Sequence, residues 1–111
     1  MINMRMMTTP VFTFSNLKTD PRQLAVVEMA FAQLEISEKP ILLKIGSELT
    51  MTEDSVSVML TQEETRLFDP GTCLNIQLRG LSKDGKVTSS KVFCADIDPA
   101  LSDKVLKLEE G

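Results

Sequence analysis

The sequence predicts an all-β domain, a sandwich or a barrel. Turn signals recur at short, regular intervals: Asn16 to Pro21, Glu38 to Pro40, Gly46-Ser47, Glu53-Asp54, Asp69-Pro70-Gly71, Asp84-Gly85 and Asp98-Pro99. Between them lie short apolar or alternating runs, the rhythm of strands joined by tight turns. The 111 residues, 42% apolar and 25% charged, suit one globular domain with no linker or internal repeat. Residues 9–108 are expected to form that domain. Residues 1–8, with Met1, Met4, Met6 and Met7 and no signal-peptide core, are expected to fray at an uncertain translation start.

Pro10-Val11-Phe12-Thr13-Phe14 reads as the first strand. The next segment sets local rules against each other. Asp20-Pro21 looks like a helix cap followed by proline at the first helical position, and Leu24, Val27, Phe31 and Leu34 recur at helical spacing. A strand also fits, because Val27, Met29 and Phe31 alternate with Glu28, Ala30 and Ala32. Propensity alone favours the helix, since Ala, Leu, Met, Glu and Gln dominate. Pro40 then opens the run Ile41 to Ile45, and Leu49 with Met51 forms a brief strand. Ser55 to Leu60 alternates, with Val56, Val58 and Leu60 on one face.

Thr61-Gln62-Glu63-Glu64 matches a capping box. The Thr61 hydroxyl accepts from the Glu64 amide, and the Glu64 carboxylate accepts from the Thr61 amide. This predicts a short helix over Gln62 to Phe68, ended by Asp69-Pro70-Gly71, with Leu67 and Phe68 plugging one end of the sandwich. Leu74, Ile76 and Leu78 alternate with polar neighbours, and Val87 to Ile97 is rich in β-branched and aromatic residues. Asp84-Gly85 between them signals a hairpin with a two-residue loop, in which Lys83 faces Lys86 and Asn75 faces Cys94. Cys73 then lies diagonally from Cys94, within reach of contact. Both are expected as small core residues with reduced thiols in a chain made in the cytosol. Leu101, Val105 and Leu108 predict a docking tail or a short helix at the end.

Composition excludes several functions. There is no histidine, which removes Ser-His-Asp and Cys-His catalysis and every His-ligated metal site within this chain. A net charge of −4, with bases scattered among acids, gives no stripe for nucleic acid. Leu24 to Leu34, the longest nearly uncharged run, has 11 residues and includes Glu28, against the ~20 needed to span a membrane. Glu63 and Glu64 are neighbours on a short helix and point apart, so they suit capping rather than acid–base work. Ser82-Lys83 lies beside an exposed turn, where nothing desolvates the lysine. Glu53-Asp54 and Asp96 to Asp98 lack the order of a calcium loop. No catalytic residue, cofactor or metal is expected.

Three blocks in order carry a family resemblance: Leu60-Thr61-Gln62-Glu63-Glu64-Thr65-Arg66-Leu67-Phe68, then Leu74-Asn75-Ile76-Gln77-Leu78-Arg79, then Lys83-Asp84-Gly85-Lys86 followed by Ser90. Thr9-Pro10 and Val27 to Gln33 fit upstream. The chain, from about Thr8 to Leu106, resembles small structural proteins of tailed phages and prophages of gram-positive bacteria. It is similar to the N-terminal domain of phage baseplate upper proteins. The resemblance implies an immunoglobulin-like antiparallel β-sandwich in which Val27 to Gln33 is a strand. It also implies a non-enzymatic part of the virion, made in the host cytoplasm, with other tail or baseplate proteins or further copies of itself as partners.

Gln62, Gln77 and Arg79 are the polar residues that this match singles out as a candidate interface, since arginine and amides give directional hydrogen bonds. The plainer reading is that Gln77 and Arg79 line the solvent face of a strand. Apolar residues left over on that face would strengthen the interface reading. A second class of function is a carbohydrate-binding or adhesin-like sandwich, but sugar sites present aromatic platforms and this chain has neither Trp nor Tyr.

Overall fold

The computed structural model describes residues 2–102 and 104–107. The strands are β1 (Ile2–Arg5), β2 (Val11–Phe14), β3 (Val26–Ala32), β4 (Leu42–Ile45), β5 (Thr50–Met51), β6 (Val56–Met59), β7 (Leu74–Leu81), β8 (Val87–Ser89) and β9 (Phe93–Asp98), with one α-helix, α1 (Gln62–Thr65). They form a six-stranded sheet in the order β1-β9-β7-β3-β4, with β8 alongside β7, and a three-stranded sheet β2-β6-β5. The chain changes sheet after β1, after β2, after β4 and after β6. β2, β6 and β5 thus take the places of strands B, E and D of an immunoglobulin sandwich, β3, β7 and β9 those of C, F and G, and β4 widens the second sheet.

The sandwich is not purely antiparallel. β1 runs parallel to β9, with Met4 opposite Ile97, so the six-stranded sheet is mixed. The start of the chain, expected to fray, is therefore an ordered edge strand. Met4 is 2% exposed and packs into the core, and the Met7 amide donates to Thr65 Oγ1 at 2.8 Å. An apolar side chain with a sheet edge to pair against outweighs the entropy of a loose end.

Period-two alternation builds the core. Val27, Met29 and Phe31 on β3, Leu74, Ile76 and Leu78 on β7, and Val56, Val58 and Leu60 on and after β6 all point between the sheets. Phe31 sits at the centre, edge-on to Phe12 at 5.5 Å between ring centroids and 6.2 Å from Phe68. These rings occupy the layer that a buried tryptophan and disulfide fill in antibody domains. Phe68 plugs the sandwich as expected, whereas Leu67 is 52% exposed.

Residues 20–34 satisfy both local signals in turn. Asp20 caps a single 3-10 turn, Pro21–Gln23, by accepting from the Arg22 amide at 2.9 Å. Hydrogen bonds from the Arg22 side chain hold the Asp20 carboxyl below its usual range. The chain then extends into β3, which pairs with β7 from Val26 to Ala32 and with β4 from Glu28 to Phe31. A central strand flanked on both sides gains more from pairing and burial than the propensity of Ala, Glu and Met can offset.

The helix is shorter than the expected 62–68. Its capping box forms as read, with Glu64 N to Thr61 Oγ1 at 3.1 Å and Thr61 N to Glu64 Oε1 at 2.9 Å. After Thr65 the amides of Arg66, Leu67 and Phe68 bond three residues back, so the turn tightens rather than propagating.

The last hairpin has a three-residue loop instead of two. Ser82 and Lys86 close it, with Ser82 N to Lys86 O at 2.8 Å, and Gly85 takes φ +91°, the left-handed position of a G1 bulge. Ser82 Oγ also bonds the Asp84 carboxylate. The extra loop residue shifts the register near the turn, where Leu81 faces Val87 rather than Thr88. A bulge at Lys91-Val92 restores it, because Ser90 bonds Leu78 while Phe93 faces Ile76. Asn75 consequently faces Cys94 as expected.

Cys73 and Cys94 depart from the expected pair of reduced core thiols. They are joined, with Cα atoms 6.1 Å apart, and lie at the surface, Cys73 half-buried and Cys94 exposed. The diagonal register across β7 and β9 brings them together. Residues 99–102 and 104–107 follow without regular structure, so the expected short helix does not form; Leu101 is fully exposed, Leu106 is held through its backbone by Gln62, and Leu108 lies outside the described residues.

Candidate interaction surface

Arg79 and Gln77 project from the outer face of the six-stranded sheet. Register places Arg79 beside Glu28 of β3 and Gln77 beside Ala30. Arg79 Nε and Nη2 both reach Glu28 Oε1 at 3.0 Å, and Gln77 Nε2 donates to Ser90 O at 3.1 Å. Gln77 thereby secures the β8–β9 bulge. The Arg79 side chain is half-exposed and that of Glu28 about one-fifth exposed, so the solvent-screened pair adds only ~0.2–1 kcal/mol to stability and the guanidinium stays open to other partners.

Around this pair the face is apolar. Alternation that turns Val27, Met29 and Phe31 inward turns Val26, Ala30 and Ala32 outward, and Leu43 and Ile45 on β4 sit beside Ala30 and Glu28. Val26, Leu43, Ile45 and Val87 are each at least 41% exposed. Val26, Leu81 and Val87, rimmed by Glu28 and Arg79, enclose a shallow depression of about 220 Å³. A strand bearing apolar residues on both faces, with the second sheet packed on only one of them, leaves the other apolar face without a neighbour among the described residues.

Gln62 stands apart from Gln77 and Arg79. It lies on α1, and its amide grips the tail at both ends of one residue: Nε2 donates to Leu106 O at 2.8 Å and Oε1 accepts from Leu106 N at 2.9 Å. Thr61 and Glu64 work at the same helix. Lys44 reaches from β4 to the Glu64 carboxylate, and to Glu48 at 3.8 Å. Burial pushes the Glu64 carboxyl up, but hydrogen bonds from the Lys44 ammonium and the Thr61 amide outweigh it and hold the group below its usual value.

Two buried polar residues escaped the reading of the sequence. Gln33, fully buried, donates from Nε2 to Asp69 O at 2.8 Å and Thr72 O at 2.9 Å, and accepts from Asp69 N at 2.8 Å. It ties the end of β3 to the Asp69-Pro70-Gly71 turn, the corner that a tyrosine fixes in antibody domains. Thr65, equally buried, donates to Gln62 O at 2.7 Å while accepting from Met7. Gln33 continues the inward alternation of β3, the one signal that marks it.

Ser82 and Lys83 lie in the hairpin loop, and Ser82 is engaged by Asp84 and Lys86. Among the described residues no group of three or more acids and cysteines is arranged to hold a metal ion, and no helix is long and apolar enough to cross a membrane. No protein-family model matches the chain, and comparison with curated proteins returns no significant relative.

Proposed function

We propose that this protein is a non-enzymatic structural module of a phage or prophage virion, a tail or baseplate component that assembles through protein–protein contacts. The observation that carries the contact function is the outer face of the six-stranded sheet, where Val26, Leu43, Ile45 and Val87 surround the Glu28–Arg79 pair. An apolar centre with one directional charged pair is the composition of a contact surface. The virion setting rests on the resemblance of the Leu60–Phe68 and Leu74–Arg79 blocks. A bridged Cys73–Cys94 pair suits a protein that leaves the reducing cytosol after synthesis.

Mass spectrometry of tailed particles purified from the producing cells tests this reading. The chain is expected at a fixed ratio to the tail proteins. Its absence from intact particles, while it is abundant in the lysate, would exclude a virion role.

A further inference from the structure

We propose that the outer sheet face binds a second copy of this chain, two copies meeting face to face about a two-fold axis that exchanges the Glu28–Arg79 pair. The proposal rests on the reading of this face as a contact surface and names its occupant.

Charge selects the occupant. The chain carries −4 overall, so two copies repel over most approaches. On the outward positions of β4, β3, β7 and β8 the charged side chains are Glu28 and Arg79 alone, which sum to zero. This face therefore offers no uncompensated charge to a strongly acidic or basic partner, and it lacks the self-repulsion of the rest of the chain. Its one acid and one base are side by side on neighbouring strands, in register. A two-fold axis lying in the face, parallel to the strands and between β3 and β7, sets Arg79 over the partner's Glu28 and the reverse. Each charge then has two opposite neighbours and none of its own sign in contact.

Shape agrees with the same axis. It lays β4 of one copy over β8 of the other, because the two strands flank the β3–β7 pair on opposite sides. Ile45, level with Glu28 on β4, then lies over the ridge of β8 beside the depression formed by Val26, Leu81 and Val87. Such contacts are isologous, every residue being used twice in the commonest closed symmetry of soluble oligomers. Four strands at ~4.8 Å and about seven residues at ~3.3 Å give a face of roughly 450 Å² in projection. That is short of the ~800 Å² per partner of standard interfaces, so the dimer is weak, with dissociation in the micromolar range.

Sedimentation equilibrium of the purified full chain, from ~5 to ~500 μM, tests this. The mass is expected to rise from 12.3 kDa to twice that across the series. Ile45→Glu, with an unchanged melting temperature, is expected to weaken association at least ~10-fold. Glu28→Arg and Arg79→Glu are each expected to weaken it, and an equimolar mixture of the two to restore it, because the mixed pair regains opposite charges. A monomer throughout would overturn the proposal. So would undiminished dimerisation of Ile45→Glu, or a mixture no tighter than its components. Because sedimentation uses the isolated chain and the virion role is read from particles, either idea can fail without the other.

Discussion

Glu64 shows how much a single side chain does in a fold of this size. Its carboxylate caps α1, accepts from Lys44 on β4, and so joins the E–F connection to the edge of the other sheet. Because its folded-state pKa lies below its ordinary value of 4.5, ionised Glu64 stabilises the fold above that pH, and the contribution is lost as pH falls through the depressed value. Replacement by Gln is expected to lower stability by about 1 kcal/mol at neutral pH. The gap between variant and parent should close in acid, as urea titrations at pH 7 and pH 3 would show. Gln33 carries more, since its removal strands the amide of Asp69 and two carbonyls on the part-buried side of the turn. Gln33→Leu is expected to cost about 2–3 kcal/mol in the same measurement, with the loss centred on the turn at 69–72.

Elements were legible where a single physical signal governed them. Alternation placed β6 and β7, and Thr61 with Glu64 placed the start of α1, because capping is local chemistry written in four residues. Thr61→Ala is expected to cost about 1 kcal/mol, read from the midpoint of denaturant unfolding. Elsewhere two signals competed. Ala, Met and Glu in residues 25–32 favour a helix, and only pairing with β7 and β4, which are distant in sequence, makes β3 a strand. Asp84-Gly85 marked a hairpin correctly but not its loop length, because Ser82 and Lys86 close a three-residue loop around the same glycine. Gly85 needs its positive φ, so Gly85→Ala should destabilise by about 1 kcal/mol, measurable by thermal unfolding.

At the scale of the whole molecule, the sequence hid what depends on register between remote strands. Nothing near Met1 to Met7 reveals that Met4 will meet Ile97 across a parallel pair, whereas the hairpin register did bring Cys73 within reach of Cys94 but not the bridge between them. The bridge spans 21 residues of sequence, a loop whose closure is expected to contribute about 3 kcal/mol. Reduction should therefore lower the unfolding midpoint but leave a folded sandwich, since the aromatic layer of Phe12, Phe31 and Phe68 does not include the cysteines. The outer face was half legible. Gln77 and Arg79 mark the outward side of β7, but the apolar residues that give the face its character come from β3, β4 and β8. Gln62, singled out with them, lies on α1 away from this face and bonds Leu106 of the tail.

We propose that this face assembles the protein with others in a particle. The most direct test is quantitative mass spectrometry of tailed particles produced with either the parent chain or Val87→Lys, a variant at an exposed position expected to fold with an unchanged melting temperature. The parent chain is expected at a constant ratio to the tail proteins and the variant depleted. Equal incorporation of the two, or particles lacking both, would contradict it.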